Sequence, residues 1–300
     1  MLWPLFALIS AFLLGFYDLL KKKSLNENAV MPVLFFSTLS GAILFTLLFL
    51  FSRFSVNPDT SGLLYIPVSP LKDHLFFFIK SVIVGSSWML AYFAFKHLPI
   101  TIATPIRASA PIWTLLGAFL IFSEHLTGMQ WFGISITMFF YLLLSFEGRK
   151  EGLNFRTNKW ILFMALSTML GSISSLYDKY LINHFNRMAV QAYSTVYIAL
   201  MFLPITLFLW YPNRKNTTPF QWRFTIPLIG ICLAFADFAY FYALSMPHSL
   251  ISIVSIIRRG SVVVAFTWGY FIYKEKNFKR KALILAGILA GLIVIVWGSK

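Results

Sequence analysis

Two arginines occupy matching positions in the two halves of this sequence, each inside a long apolar run. Arg107 precedes Glu124 by 17 residues, and Arg258 precedes Glu275 by the same interval. A guanidinium group presents a planar set of donors that binds a carboxylate or a phosphate through parallel hydrogen bonds. Because a charge inside a membrane span is costly, each arginine is a candidate for binding an anionic group of a ligand.

The carboxylate of Asp237 also lies in an apolar run, and two interpretations of its role are open. Asp237 lies far from either end of its apolar run. In the first interpretation it forms a structural ion pair with Arg258 or Arg259 and contacts no ligand. In the second it belongs to the binding site, where a membrane-buried carboxylate would also suit a carrier that uses a proton as its coupling ion.

A second matched pair of carboxylates lies closer to the ends of apolar runs. Asp18 and Asp178 each follow a tyrosine near the end of the first run of their half. Asp18 is three residues from Lys21, and Asp178 adjoins Lys179, which favours ion pairs near the membrane surface. The alternative is that these carboxylates form a gate or bind the coupling ion.

Aromatic residues near these charges complete the candidate site. They either pack the protein and form an interfacial belt, or line a pocket for a ring-bearing ligand and stack on the guanidinium planes. Tyr92 corresponds to Tyr240 when Pro99 is matched to Pro247. The predicted substrate-binding residues are Arg107, Arg258, Asp237, Trp88, Tyr92, Trp113, Tyr240 and Trp268, with Asp18 and Asp178 as a possible gate or coupling pair.

The elements that carry these residues are predicted to be membrane-spanning helices. The chain is 59% hydrophobic and only 12% charged, whereas soluble domains are about 25% charged. Apolar runs of about 20 residues match the roughly 30 Å thickness of the hydrocarbon core. We predict an all-α integral membrane protein with ten spans, at approximately 2–20, 30–51, 74–96, 99–123, 129–146, 160–182, 188–210, 224–245, 249–273 and 282–298.

The charge-rich stretch at 147–159 divides these spans into two groups of five. We therefore predict a first five-helix repeat at 1–146, a basic linker loop at 147–159 and a second repeat at 160–300. Because five is odd, the second repeat enters the membrane from the opposite side, which gives an inverted repeat. Secondary transporters use this architecture, with the substrate site near the midplane where the halves meet.

The chain resembles the EamA-type members of the drug/metabolite transporter superfamily over nearly its whole length. The residues that carry this resemblance are Pro99, Pro111, Glu124, Gln130 and Gly133 in the first half, and Pro247, Glu275 and Gly287 in the second. The resemblance implies translocation of a small molecule by alternating access, without identifying the molecule. The second half departs from the pattern at Val262, where Pro111 would align.

Glu124 and Glu275 end their apolar runs, so they differ from the buried charges. We expect them to act structurally at the membrane interface by capping the start of a neighbouring helix. The inverted arrangement predicts that they lie on opposite faces of the membrane.

Three functional classes compete. The favoured one is a secondary transporter of a small metabolite, anionic or zwitterionic such as an amino acid. The alternative is a lipid-linked carrier or flippase-type protein of similar helical design. An integral-membrane enzyme is not favoured, because the five histidines are scattered near span ends without metal-ligand spacing. The sequence indicates no cofactor and no metal site, and its single cysteine, Cys232, excludes an internal disulfide.

The net charge of +15 does not indicate nucleic acid as a partner, because the basic residues lie at span ends beside the lipid bilayer. The connections after odd-numbered spans hold about sixteen Lys and Arg, and the rest hold about five. The positive-inside rule then places both termini outside the cell, whereas the resemblance implies that they are cytoplasmic. We expect a multi-pass protein of the plasma membrane; its oligomeric state does not follow from the sequence.

Overall fold

The computed structural model describes residues 2–54, 62–98, 106–107, 109–147, 159–264, 267–268 and 278–299. Three features singled out in the sequence, Pro99, Glu275 and most of the linker predicted at 147–159, lie outside these ranges.

The described residues form ten α-helices that follow the ten predicted spans in order. They are α1 (Trp3–Leu25), α2 (Val30–Phe54), α3 (Leu71–His97), α4 (Ala110–Phe122), α5 (Gly128–Glu147), α6 (Lys159–His184), α7 (Arg187–Ile205), α8 (Thr225–Ser245), α9 (Ile251–Arg259) and α10 (Phe278–Trp297). By length and composition six of them, α1, α2, α3, α6, α7 with its continuation to Trp210, and α8, are able to cross a membrane.

Within the spans placed at 99–123 and 249–273, the structure describes a helix over Ala110–Phe122 and another over Ile251–Arg259. Arg107 lies before the first of these helices, and Arg258 and Arg259 are the last two residues of the second. At the end of α9 the amide of Gly260 donates to the carbonyl of Ile257 at 2.9 Å, which is the spacing of a tighter helical turn. Arg258 and Arg259 therefore lie at the C-terminal end of α9.

Local sequence signals explain several helix ends. The Thr127 hydroxyl accepts from the amide of Gln130, while the Gln130 side chain accepts from the amide of Thr127 at 2.8 Å. This reciprocal capping box starts α5. Asn186 caps α7 by accepting from the amides of Met188 and Ala189. Pro204 lacks an amide hydrogen, and the helix widens into a π-helical turn directly after it.

The most extensive helix contacts join one half of the chain to the other. Helix α1 packs on α8, and the equivalent pair after exchange of the halves is α6 with α3. In the same way, the contact of α2 with α8 is equivalent to that of α7 with α3, and the contact of α4 with α6 is equivalent to that of α9 with α1. The remaining major pairs, α2 with α7, α4 with α9 and α5 with α10, join a helix to its own counterpart. Each contact maps onto another when the halves are exchanged, so the fold is two inverted five-helix repeats.

The outer surface of the bundle is apolar. Large side chains are more than 70% exposed at several helix positions, among them Phe51, Phe54, Leu120 and Leu283. In a membrane protein such residues face lipid, so the bilayer supplies the apolar surroundings that a soluble protein obtains from its core.

Candidate functional site

A cavity of about 240 Å³ lies where the two halves meet. Helices α1, α2 and α3 of the first half and α6, α7, α8 and α9 of the second contribute to its lining, together with the segment just before α4. Its charged lining residues, among those the structure describes, are Asp18, Lys21, Lys80, Arg107, Asp178, Asp237, Arg258 and Arg259. Five of these are cations and three are carboxylates, so the described lining has an excess of two positive charges.

Two of the cations that line the cavity, Lys21 and Arg107, lie near the carboxylate of Asp18. This carboxylate accepts from the ammonium of Lys21 at 2.7 Å, and the guanidinium of Arg107 lies 3.9 Å away. The pairing of Asp18 with Lys21 was predicted from their spacing and is confirmed. The two residues line the cavity, however, rather than an outer surface.

Aromatic rings surround the same cations. The Lys21 ammonium lies 4.6 Å from the ring centre of Tyr17, 5.6 Å from that of Tyr92 and 5.3 Å from that of Phe95. The Arg107 guanidinium lies 5.1 Å from the centre of the same Phe95 ring. Cation–π contacts of this kind strengthen when the groups are removed from bulk water.

Asp178 forms a short, buried ion pair with Lys80 that joins α6 to α3. The expectation that Asp178 pairs with the adjacent Lys179 is wrong. On a helix, neighbouring residues point in different directions, and the Lys179 ammonium donates instead to the carbonyl and hydroxyl of Ser249, at 2.8 Å each. Lys80 was not among the residues identified from the sequence.

Asp237 and Arg258 form the ion pair that one interpretation of the sequence predicted. The guanidinium of Arg258 donates to the Asp237 carboxylate at 2.7 Å, and it lies 3.9 Å from the centre of the Tyr240 ring. Both charged side chains retain contact with the cavity, since 17% of Arg258 and 25% of Asp237 are exposed. The ion pair is therefore part of the cavity lining.

Arg259, the neighbour of Arg258, also lines the cavity but faces a different set of groups. It lies within electrostatic range of Arg107, Arg258 and Asp18. Within the part of the chain that the structure describes, Arg259 makes no ion pair and donates no hydrogen bond, and it is partly exposed. Sequence reasoning treated it only as a possible partner of Asp237.

The predicted aromatic residues divide into three groups. Trp88 and Tyr92 line the cavity. Tyr240 is buried beneath Arg258 and supports it without lining the cavity. Trp113 and Trp268 are not among the lining residues, and they are 44% and 45% exposed. They were predicted because they share apolar runs with the arginines, but a uniformly apolar helix gives no signal of which face turns inward.

Glu124 has the capping role that the sequence predicted. Its carboxylate accepts from the amides of Ile251 and Ser252, at 2.7 and 3.1 Å, and from the Ser252 hydroxyl. These amides are the first of α9, where unpaired donors need an acceptor. The end of α4 in the first half is thereby attached to the start of α9 in the second.

A helical membrane protein whose two inverted halves enclose a charged cavity has the architecture of a secondary transporter. The family model of the EamA-like transporter family matches residues 1–146 and 158–297. The chain belongs to this family, which confirms the resemblance to the EamA-type drug/metabolite transporters. It is accordingly a multi-pass membrane transporter whose partners are a small-molecule substrate and membrane lipid.

A solved crystal structure shares this fold. It aligns with a TM-score of 0.72 at 12% sequence identity, and the alignment covers 98% of both chains. At this identity the likeness concerns the fold alone. No curated protein matches the sequence.

Proposed function

We propose that the chain moves a small anionic or zwitterionic metabolite, such as an amino acid, across the plasma membrane by alternating access. The observation that supports this most strongly is the cavity between the halves, lined by five cations and three carboxylates. An excess of positive charge in a membrane interior is costly unless a negative group offsets it. A cationic substrate would add repulsion in a low-dielectric cavity, so it is disfavoured.

The proposed binding residues follow from this geometry. Arg107 from the first half and Arg258 from the second both line the cavity, and guanidinium groups suit a carboxylate or phosphate. Trp88 and Tyr92 give it an aromatic wall that suits an apolar or ring-bearing remainder. Trp113 and Trp268 are left out of this proposal because they lie away from the cavity.

Alternating access is consistent with the way the halves are joined. Because the cavity is lined by helices of both halves, the movement we propose for opening it to each side in turn is a rocking of one half against the other. Asp237 is our candidate for the coupling residue. A proton on its carboxylate would remove the charge that holds Arg258 and so link protonation to the shape of the site.

Reconstituted protein tests the proposal. Uptake of labelled amino acids, nucleotide-linked compounds and cationic dyes is measured in liposomes with and without a pH gradient. We expect transport of at least one anion or zwitterion, and its loss in Arg107→Ala and Arg258→Ala but not in Arg53→Ala, which removes an exposed arginine at the end of α2. Efflux of ethidium-like cations with no response to any anion or zwitterion would refute it.

The coupling role is tested separately. If Asp237 binds the coupling proton, Asp237→Asn should abolish the response of transport to the pH gradient while exchange of substrate across the membrane continues. Transport that responds to the gradient as strongly as the wild type would exclude Asp237 as the coupling residue and leave the substrate proposal intact.

A further inference from the structure

The charges of the cavity are unevenly distributed between two groups. In the first, which we call the balanced group, Lys80 pairs with Asp178 and Arg258 pairs with Asp237. Asp178 also lies within electrostatic range of Asp237 and Arg258, so these four residues form one cluster. Each cation has its own carboxylate, and the cluster as a whole is neutral.

The second group carries the positive excess of the cavity lining that the structure describes. Lys21, Arg107 and Arg259 share one carboxylate, that of Asp18, and interact electrostatically with one another. Lys21 binds that carboxylate directly, whereas the Arg107 guanidinium is 3.9 Å away, beyond hydrogen-bond distance. We call these three cations and Asp18 the basic group; its formal charge is +2.

We infer that the basic group is a subsite for a dianionic group such as a phosphate monoester, held by the guanidinium groups of Arg107 and Arg259 with the ammonium of Lys21 beside them. The inference rests on the proposed transport of an anion and states which end of the cavity takes its charge. The two negative charges of such a group would neutralise the charge of +2 that remains on the basic group after Asp18 has offset one of its three cations.

Arg259 is the α9 arginine of the basic group, whereas Arg258, which the proposed function also places at the substrate, belongs to the balanced group. Arg258 is committed to Asp237 and to the face of the Tyr240 ring, while one of its nitrogens, Nε, is already buried without a partner. Arg259 is partly exposed in the cavity, and among the residues the structure describes it pairs with none. Adjacent positions on α9 thus face different groups of charges, Arg258 the balanced group and Arg259 the basic group.

The carboxylate of Asp18 holds the Lys21 ammonium in place but offsets only one of the three positive charges of the basic group. It holds Lys21 at 2.7 Å, and the rings of Tyr17 and Phe95 fix the same ammonium from the sides. Phe95 also supports the plane of Arg107. A cluster held in this way keeps its donors oriented before the ligand arrives, which reduces the ordering cost of binding.

A series of ligands with one ring and different charges tests the inference. Phenyl phosphate, benzoate, L-phenylalanine and phenethylamine are titrated into the purified full chain in detergent, and binding is followed by tryptophan fluorescence, since Trp88 lines the cavity. The pH is kept well above about 6, so that the phosphate monoester is doubly charged. We expect phenyl phosphate to bind at least tenfold more tightly than benzoate, and phenethylamine not to bind.

Substitutions then locate the subsite. Arg259→Gln removes one charged hydrogen-bonding partner, so we expect the affinity for phenyl phosphate to fall about tenfold or more. The preference for phenyl phosphate over benzoate should shrink to less than threefold. Arg53→Gln, the same change at an exposed site, should alter neither value. Should Arg259→Gln fail to fold, Arg259→Lys, which keeps the charge but loses the planar fork, should give an intermediate loss.

The outcomes separate this inference from the proposed function. If benzoate or L-phenylalanine binds as tightly as phenyl phosphate, the dianion subsite is refuted and transport of a monoanion or zwitterion stands. If Arg259→Gln retains the full preference for phenyl phosphate, Arg259 is not the binding residue and the inference fails. If only phenethylamine binds, both the inference and the proposed function are wrong.

Discussion

The ammonium of Lys80 on α3 and the carboxylate of Asp178 on α6 form an ion pair that crosses between the two halves of the protein. Both side chains are buried, with 7% and 8% of their surface exposed. The Lys80 ammonium also lies 4.7 Å from the centre of the Phe241 ring on α8. The Lys80 ammonium on α3 therefore contacts residues of α6 and α8, so the ion pair stabilises the interface between the halves.

Removing one member of that pair should be more damaging than removing both. Lys80→Met leaves the Asp178 carboxylate buried without a partner, for which a loss of about 3–5 kcal/mol is typical. We expect the midpoint of thermal unfolding in detergent to fall by several degrees, and Lys80→Met/Asp178→Leu to recover most of the loss. Lys72→Met, at the exposed start of α3, is the matched control. A Lys80→Met variant as stable as wild type would contradict the structural role of the pair.

The attachment of α4 to α9 through Glu124 gives a second expectation. Glu124→Ala leaves the first amides of α9 without their acceptor, and loss of such a cap costs about 0.5–2 kcal/mol. Glu124→Gln keeps one acceptor oxygen and should lose less. His125→Ala changes the exposed neighbour and should have little effect. Equal unfolding midpoints for Glu124→Ala and His125→Ala would show that the cap contributes nothing measurable.

The sequence predicted the fold because its two halves repeat the same order of signals. The number and order of the ten helices follow from the apolar runs, and the inverted arrangement follows from the odd number in each half. The equal spacing from Arg107 to Glu124 and from Arg258 to Glu275 aligned the halves correctly enough to place both arginines at one cavity. Hydrophobic runs report that a segment is buried in lipid, which is sufficient for topology.

The partners within the site were harder to predict. Lys80 has no counterpart, since alignment of Pro99 with Pro247 pairs it with Leu228, and its partner Asp178 is 98 residues away. A charge without a symmetric match or a neighbour at helical spacing gives no signal in a single sequence. Asp18 with Lys21 was accessible because residues three apart share a helix face. The functional roles of these residues stay predictions.

Close packing of α2 against α8 is expected to depend on Gly230. A Cβ atom added there would lie 1.9 Å from the carbonyl oxygen of Ser37 and 2.2 Å from the hydroxyl of Ser40. Because the first of these atoms belongs to the backbone, Gly230→Ala should separate the helices and cost about 1–3 kcal/mol or more. Gly128→Ala, where a Cβ meets nothing within 4 Å, is the control. Unfolding midpoints in detergent decide the matter, and equal values for both variants would argue against this packing.

Orientation in the membrane is the expectation on which the charge distribution and the family resemblance disagree. The excess of Lys and Arg after odd-numbered spans places the linker at 147–159 in the cytoplasm and both termini outside. In a Cys232→Ser background, a cysteine placed at Asn154 should then react only after the cells are opened. A cysteine near either terminus should react with the same impermeant reagent in intact cells. Labelling at Asn154 from outside would reverse the orientation in favour of cytoplasmic termini, and different results for the two termini would refute the count of ten spans.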